Sequence, residues 1–235
     1  MSLTSGRGPL SRNPAGRFSA PVPDDLAYVE PVRRRVRARL GDTTVVDSEA
    51  ALLVHRAGGP PTYAFPPADV ETAALGDAVA PHPDADGFVT VAWGAVDHWY
   101  EEEDEVFLHA RNPYHRIECL RTTRHLRVAI GDTVLVDAPA TIALYETALE
   151  PKLYVDKALV RTDLLVPSAT TTLCPSKGTA TWWSALVDGV THADVAWSYE
   201  DPLPESLPVA GLLSFEVVHP ALTVEADLPP APPPA

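Results

Sequence analysis

The residue best suited to chemistry in this 235-residue chain is Lys177, in the segment Pro175-Ser176-Lys177-Gly178. Proline and glycine favour a tight turn between two strands, so the lysine can face either a cavity or the solvent. In a cavity, a lysine ammonium stabilises charge that develops on a carboxylate, enolate or carbonyl oxygen. Glu146 is its candidate partner, as a counter-ion or as a proton-handling group. Lys177 and Glu146 are therefore the candidate catalytic residues, with a solvated turn lysine as the alternative.

Aromatic residues follow Lys177 and could line a site for an apolar ligand. Consecutive residues of a strand point to opposite faces, so Trp182 and Trp183 cannot both enter one cavity. Trp197 and Tyr199 are two positions apart and share a face. Packing in the core is the alternative, because it is the usual role of aromatic side chains in strands. The candidate ligand-binding residues are Trp182, Trp183, Trp197, Tyr199, Tyr154 and Leu173.

Other kinds of chemistry find little support. The two cysteines, Cys119 and Cys174, do not make a disulfide framework or a zinc site with four closely spaced ligands. No histidine adjoins Cys174, so we expect a buried, inert thiol. The chain contains no G-x-S-x-G elbow, no phosphate-binding loop and no dinucleotide motif. We therefore predict no metal and no cofactor.

Charge and hydropathy limit the partners. A net charge of −14 argues against nucleic acid, since that contact depends on Lys and Arg neutralising phosphates. The five consecutive acids at 101–105 repel one another, and we expect them to stay solvated. No apolar run approaches membrane-spanning length, and the first twenty residues lack a signal-peptide core. These features predict a cytoplasmic protein without a membrane partner. A homodimer is one option for its assembly.

The elements that position these residues are predicted to be strands. Apolar and other residues alternate with a period of two before the turn Gly131-Asp132, and 25 prolines interrupt the rest of the chain. Residues 36–71 return at 126–161 without a gap, and ten of the 36 pairs are identical. This pattern predicts an all-β protein of two related, small antiparallel modules with little helix.

The two copies differ in length. In copy two, 51 positions separate Val160 from the closing strand at Gly211, whereas 17 separate Val70 from Gly87 in copy one. Copy one therefore lacks about 34 residues, which correspond to the tryptophan-bearing strands of copy two. The predicted organisation is a disordered arm at 1–30, a truncated repeat with an acidic connector at 31–120, a complete repeat at 121–227, and a Pro-rich tail at 228–235.

The motifs at 172–184 and 195–202 resemble the signature of the bacterial DUF427 family, whose function is unassigned. Residues 99–106 and 112–116 resemble the connector of its tandem members. The resemblance implies a β-tent-like fold, in which two small antiparallel sheets meet at an angle. Proteins of that class often bind zinc through four cysteines, which this chain lacks, so packing must replace the metal.

The chain also departs from the family pattern. Leu173 stands where the motif has His, and Lys152 where it has Arg. Leu153, Ser176 and Trp182 each replace a Tyr. Glu146, Arg161, Asp163, Thr172 and Lys177 are retained. These changes make the enclosed space more apolar and point away from the ordinary ligand of the family.

The combined observations predict a cofactor-independent enzyme of bacterial specialised metabolism that acts on an apolar small molecule. A cyclisation, isomerisation or pericyclic step fits, because such steps require mainly a substrate held in a reactive conformer. A non-catalytic small-molecule-binding protein is the second hypothesis. A structural or interaction module is the third.

Overall fold

A computed structural model describes residues 3–228 apart from positions 5, 24 and 141. Strands make up 47% of the chain and helices 11%, which confirms the all-β prediction. The strands are β1 (Ala27–Pro31), β2 (Val36–Leu40), β3 (Thr43–Ser48), β4 (Leu52–Arg56), β5 (Thr62–Ala64), β6 (Val79–Pro81), β7 (Val89–Val91), β8 (His98–Glu101), β9 (Asp104–Val106), β10 (Ile117–Arg121), β11 (His125–Ile130), β12 (Thr133–Pro139), β13 (Ile142–Glu146), β14 (Lys152–Tyr154), β15 (Leu165–Cys174), β16 (Gly178–Val187), β17 (Val190–Ser198), β18 (Leu213–Phe215) and β19 (Thr223–Ala226). The helices are α1 (Thr72–Leu75) and the 3-10 turns Pro67–Asp69, Gly76–Ala78, Trp93–Ala95, Lys157–Leu159, Thr162–Leu164 and Pro204–Val209.

The strands form small antiparallel sheets in two compact units, which divide between His115 and Arg116. The first unit contains the sheets β1-β4-β5, β3-β2-β8-β9 and β6-β7. The second contains β10-β13-β14, β12-β11-β19 and β15-β16-β17-β18. Each sheet of the first unit thus has a counterpart in the second.

Strand register confirms the repeat residue by residue. Ala27 pairs with Arg56 where β1 meets β4, and Ile117 pairs with Glu146 ninety positions later where β10 meets β13. The isolated bridge between Val46 and Val70 recurs between Val136 and Val160. The same backbone pairings are therefore built twice.

Both repeats begin earlier than the sequence indicated. Because β1 is an edge strand hydrogen-bonded to β4, the last residues of the predicted arm belong to the first repeat. The arm also contacts this unit further upstream, where the buried Thr4 hydroxyl donates to the Gly59 carbonyl at 2.5 Å. Similarly, β10 belongs to the second unit, although the predicted boundary between residues 120 and 121 leaves most of this strand in the first segment. Apart from Leu228, the Pro-rich tail lies outside the described residues.

The two units differ in the strands that precede their closing strands. Phe65 bridges Val89 in the first unit, and the equivalent Val155 bridges Leu213 in the second. In copy one β6 and β7 pair directly, whereas copy two has a four-stranded sheet in the same place. The additional strands carry Trp182, Trp183 and Trp197.

The second unit has two apolar clusters, and β16 and β17 contribute to both. The larger cluster contains Leu135, Val195 and Phe215, with Trp183 packed against it. The smaller contains Leu144, Tyr154, Trp197 and Tyr199, with Trp182 packed against it, and we call it the aromatic cluster. Adjacent tryptophans thus serve different clusters, because strand side chains alternate between faces.

One acid of the predicted solvated run is buried, contrary to our expectation. Glu101 is 3% exposed, accepts a hydrogen bond from the Tyr63 hydroxyl at 2.6 Å and pairs with Arg34 at 2.6 Å. It lies on β8 two positions after the buried Trp99, so strand alternation turns it inward. Burial also raises the pKa of the Tyr63 hydroxyl well above its usual value. The next three acids of the run are exposed.

Candidate active site

A cavity of about 330 Å³ opens in the second unit, beside the aromatic cluster. Its volume is near the lower end of the range for small-molecule sites, which is roughly 300–1,000 Å³. The residues that line it come from both sheets flanking the aromatic cluster and from the loops at their ends. They are Leu144, Glu146, Leu149, Glu150, Lys152, Tyr154, Thr172, Lys177, Trp182, Trp197, Tyr199 and Glu216.

Strand ends and a hairpin place the two candidate catalytic residues. Glu146 is the last residue of β13. Lys177 lies in the turn between β15 and β16, which the pairing of Cys174 with Gly178 closes. The Leu203 amide donates to the Lys177 carbonyl at 3.1 Å and holds the backbone of this turn. The turn predicted from Pro175 and Gly178 is therefore present, and its lysine faces the cavity.

Lys177 and Glu146 form an ion pair on the cavity wall. Their side chains are 11% and 9% exposed, so most of each charge is removed from water. A pair in such a place costs desolvation that its mutual attraction must offset, and this dependence makes the loss of one partner expensive. The arrangement places an amine and a carboxylate side by side on the lining of one cavity.

Two tryptophans form one wall, and hydrogen bonds hold both rings. The centroids of Trp182 and Trp197 lie 5.3 Å apart at an angle of 44°. The Trp182 indole donates to the Thr172 hydroxyl at 3.0 Å, and the Trp197 indole donates to the Tyr154 hydroxyl at 3.1 Å. Burial raises the pKa of Tyr154 and of Tyr199, so both phenols stay neutral near neutral pH. The wall is aromatic and uncharged, and both indole N–H groups are hydrogen-bonded.

Lys152 also lines the cavity, whereas the sequence distinguished it only as a departure from the family pattern. Its ammonium lies 5.5 Å from the centroid of the Trp197 ring, within range of a cation–π contact. The chain has three lysines, and two of them, Lys152 and Lys177, line this cavity. The small number of lysines in the sequence could have drawn attention to Lys152 as a candidate. The acids Glu150 and Glu216 were also missed, because they lie in loops outside the motifs.

Two predicted ligand-binding residues lie elsewhere. Trp183 points to the other face of β16, where its indole donates to the Ser198 hydroxyl at 3.0 Å and Lys157 lies 5.2 Å from its ring centroid. Leu173 follows the cavity-lining Thr172 on β15 and does not line the cavity; it is 39% exposed. The structure therefore brings together four of the six predicted ligand-binding residues with both predicted catalytic residues.

The cysteines are half-buried free thiols. Burial raises the pKa of Cys119, while the charge of nearby Lys177 opposes that rise. Among the described residues, no three His, Cys, Asp or Glu side chains are grouped so as to hold a metal ion. Within the same residues, no helix has the length and apolar character needed to span a membrane.

The comparison with known families agrees with the repeated architecture. The domain of unknown function DUF427 matches residues 28–82 and 118–225, one segment in each repeat and together more than half of the chain. No curated protein matches the chain. On the strength of its two matched segments, the chain belongs to the DUF427 family.

Proposed function

We propose that this chain is a cofactor-independent enzyme that acts on a small, mainly apolar molecule held in the cavity of its second repeat. The observation that supports this proposal best is the nearly buried Lys177–Glu146 pair on the wall of an aromatic cavity. A cyclisation, isomerisation or pericyclic step fits these parts. We place the enzyme in the cytoplasm and in bacterial specialised metabolism, with a homodimer as one option.

The aromatic wall would supply orientation. Trp182 and Trp197 present a fixed apolar surface, since their indole N–H groups are already hydrogen-bonded. A substrate packed on that surface loses rotational freedom before it reacts, which can supply a large part of a unimolecular rate enhancement. The small volume favours a compact substrate of one or two rings.

The ion pair would supply proton handling. Glu146 can accept a proton from the substrate, and the Lys177 ammonium can stabilise an enolate or alkoxide oxygen that forms. Both groups are largely shielded from water, which strengthens their electrostatic effect on a bound molecule.

A non-catalytic binding protein is the second candidate. Glu146 neutralises Lys177 without any ligand, so the pair is also consistent with a structural support for a binding cavity. The two candidates share the cavity and differ in whether the ligand is transformed.

The test begins with native mass spectrometry of the purified protein, which we expect to show a co-purified small molecule. The Trp182→Ala variant should lose that molecule, whereas Trp183→Ala, altered on the other face of the same strand, should retain it. Equal retention by both variants would contradict the cavity assignment.

The catalytic role is tested with the identified molecule. Incubation with the wild-type protein should convert it to a product, and Lys177→Ala and Glu146→Gln should bind it without converting it. Binding without turnover by the wild type would establish the second candidate. Unchanged turnover in both variants would remove Lys177 and Glu146 from the mechanism.

A further inference from the structure

We propose that Lys177 forms a Schiff base with an aldehyde or ketone substrate in the cavity. This inference rests on the proposed function and names its substrate class and its covalent step. A nearly buried lysine, a carboxylate in contact with its amine and a second ammonium facing the same cavity carry the inference.

Lys177 is the nucleophile because its amine combines access to the cavity with a proton acceptor. Its side chain is 11% exposed and its ammonium contacts Glu146, so the carboxylate can take up the amine proton as the nitrogen attacks a carbonyl group in the cavity. The thiol of Cys119 is a weaker candidate, because burial raises its pKa and reduces its thiolate fraction. Cys174 and Leu173, its neighbour, do not line the cavity.

Lys152 would fix the carbonyl group of the substrate. It lies over the Trp197 ring, and in the described part of the chain no ion pair joins it to a carboxylate. Its ammonium can therefore donate to a carbonyl or carboxylate oxygen of a molecule stacked on the aromatic wall. The carbonyl end of the substrate would lie toward the lysines and its apolar body toward Trp182.

The step is balanced without an oxidant or reductant. Glu146 takes a proton from the Lys177 ammonium as the nitrogen forms a C–N bond to the carbonyl carbon. The displaced C=O electron pair takes up a proton, and the nitrogen loses its second excess proton. The carbinolamine then loses water, in which the former carbonyl oxygen leaves, and a C=N bond remains. Protonation of the imine acidifies the neighbouring C–H bond, so Glu146 can remove that proton. When the substrate carries a β,γ-double bond, the resulting dienamine takes the proton back at its γ-carbon, and the double bond moves into conjugation with the imine. Water finally hydrolyses the imine, and the net result is an isomerisation.

Reductive trapping tests the covalent step. Benzaldehyde is incubated with the full chain and sodium cyanoborohydride, and peptide mass spectrometry locates the benzylated amines. Because the chain has only three lysines, each is scored separately from the N-terminal amine. We expect Lys177 to carry most of the adduct in the folded protein and the three lysines to react alike in urea. Equal labelling of the lysines in the folded protein would overturn the proposal.

Variants separate chemistry from folding. Glu146→Gln should slow trapping at Lys177 about a hundredfold, because it removes the proton acceptor. Lys157→Arg, which changes the lysine outside the cavity, should leave the trapping rate at Lys177 unchanged, and circular dichroism verifies that each variant is folded. An unchanged rate in Glu146→Gln would overturn the assigned role of that carboxylate.

Benzyl alcohol resembles benzaldehyde in shape but has no carbonyl group, so it can bind the cavity without forming a Schiff base. Its binding therefore separates a failure of the covalent step from a failure of the proposed function. Ligand-observed NMR with the wild type and the Trp182→Ala variant reports whether the cavity binds it. Binding without selective trapping at Lys177 would refute the Schiff base and leave the cavity intact. Absence of both binding and trapping would refute the proposed function as well.

Discussion

Removal of one partner of the Lys177–Glu146 pair should strongly destabilise the second unit. Glu146→Gln keeps the shape of the side chain but leaves the Lys177 ammonium in a site where the partners are 11% and 9% exposed. Breaking a buried pair typically costs about 3–5 kcal/mol, and the adjacent cavity admits some water. We therefore expect a loss near the lower end of that range, about 3 kcal/mol.

Urea unfolding measures this loss if the signal comes from the second unit alone. Replacing Trp93 and Trp99 by Phe leaves fluorescence from the three tryptophans of the second repeat. In that background, Glu146→Gln should lower the urea concentration at the unfolding midpoint without changing the dependence of the unfolding free energy on urea. Replacing both Lys177 and Glu146 by apolar residues should restore part of the stability, since no charge is then left unpaired.

The ion pair between Arg161 and Asp163 provides the matched control within the same unit. Its partners are 57% and 61% exposed and are separated by 2.6 Å. Water and salt screen such a pair, so Asp163→Asn should change the midpoint little. A Glu146→Gln variant as stable as Asp163→Asn would refute the claim that the cavity pair is shielded.

Three other predictions concern the two faces of β16, the repeat and the buried phenols. Trp182→Ala should abolish benzyl alcohol binding in NMR titrations, whereas Trp183→Ala should keep it; loss in both would refute the separation of faces. Gly211→Ala and Gly87→Ala should each cost about 1–2 kcal/mol in thermal unfolding, because both residues have left-handed φ angles, 69° and 80°. Equivalent sites should behave alike, so a neutral effect at only one would argue against the equivalence. Burial raises the pKa of Tyr154, so the unfolded chain loses the phenolic proton first and the stability of the second unit should fall above about pH 10. Urea midpoints across that range should fall less steeply for Tyr154→Phe, and an equal slope would contradict the assignment.

Much of the fold could be predicted from local pattern. Strand alternation predicted that Trp182 and Trp183 would diverge, and they pack against different clusters. The match between Gly87 and Gly211 correctly predicted the closing strands. In each repeat, the glycine lies two positions before the residue that forms the isolated bridge, Val89 or Leu213. These features depend on period and spacing, which a sequence displays directly.

The rest depends on pairing between distant segments. Glu101 looked solvated among its acidic neighbours, but Tyr63 and Arg34 come from elsewhere in the chain to satisfy its carboxylate. β1 shows no clear alternation, and its strand conformation comes from pairing with β4. The position of Lys152 over Trp197 likewise requires two strands from different sheets. Composition and residue spacing do not show which distant segments come into contact, so these features could not be predicted from them.

The most direct test of the central claim is a crystal structure of the protein grown with benzyl alcohol. We predict ligand density on the faces of Trp182 and Trp197, with the Lys177–Glu146 pair intact at the hydroxyl end. A cavity without ligand density, in which other side chains cover the faces of Trp182 and Trp197, would contradict the account.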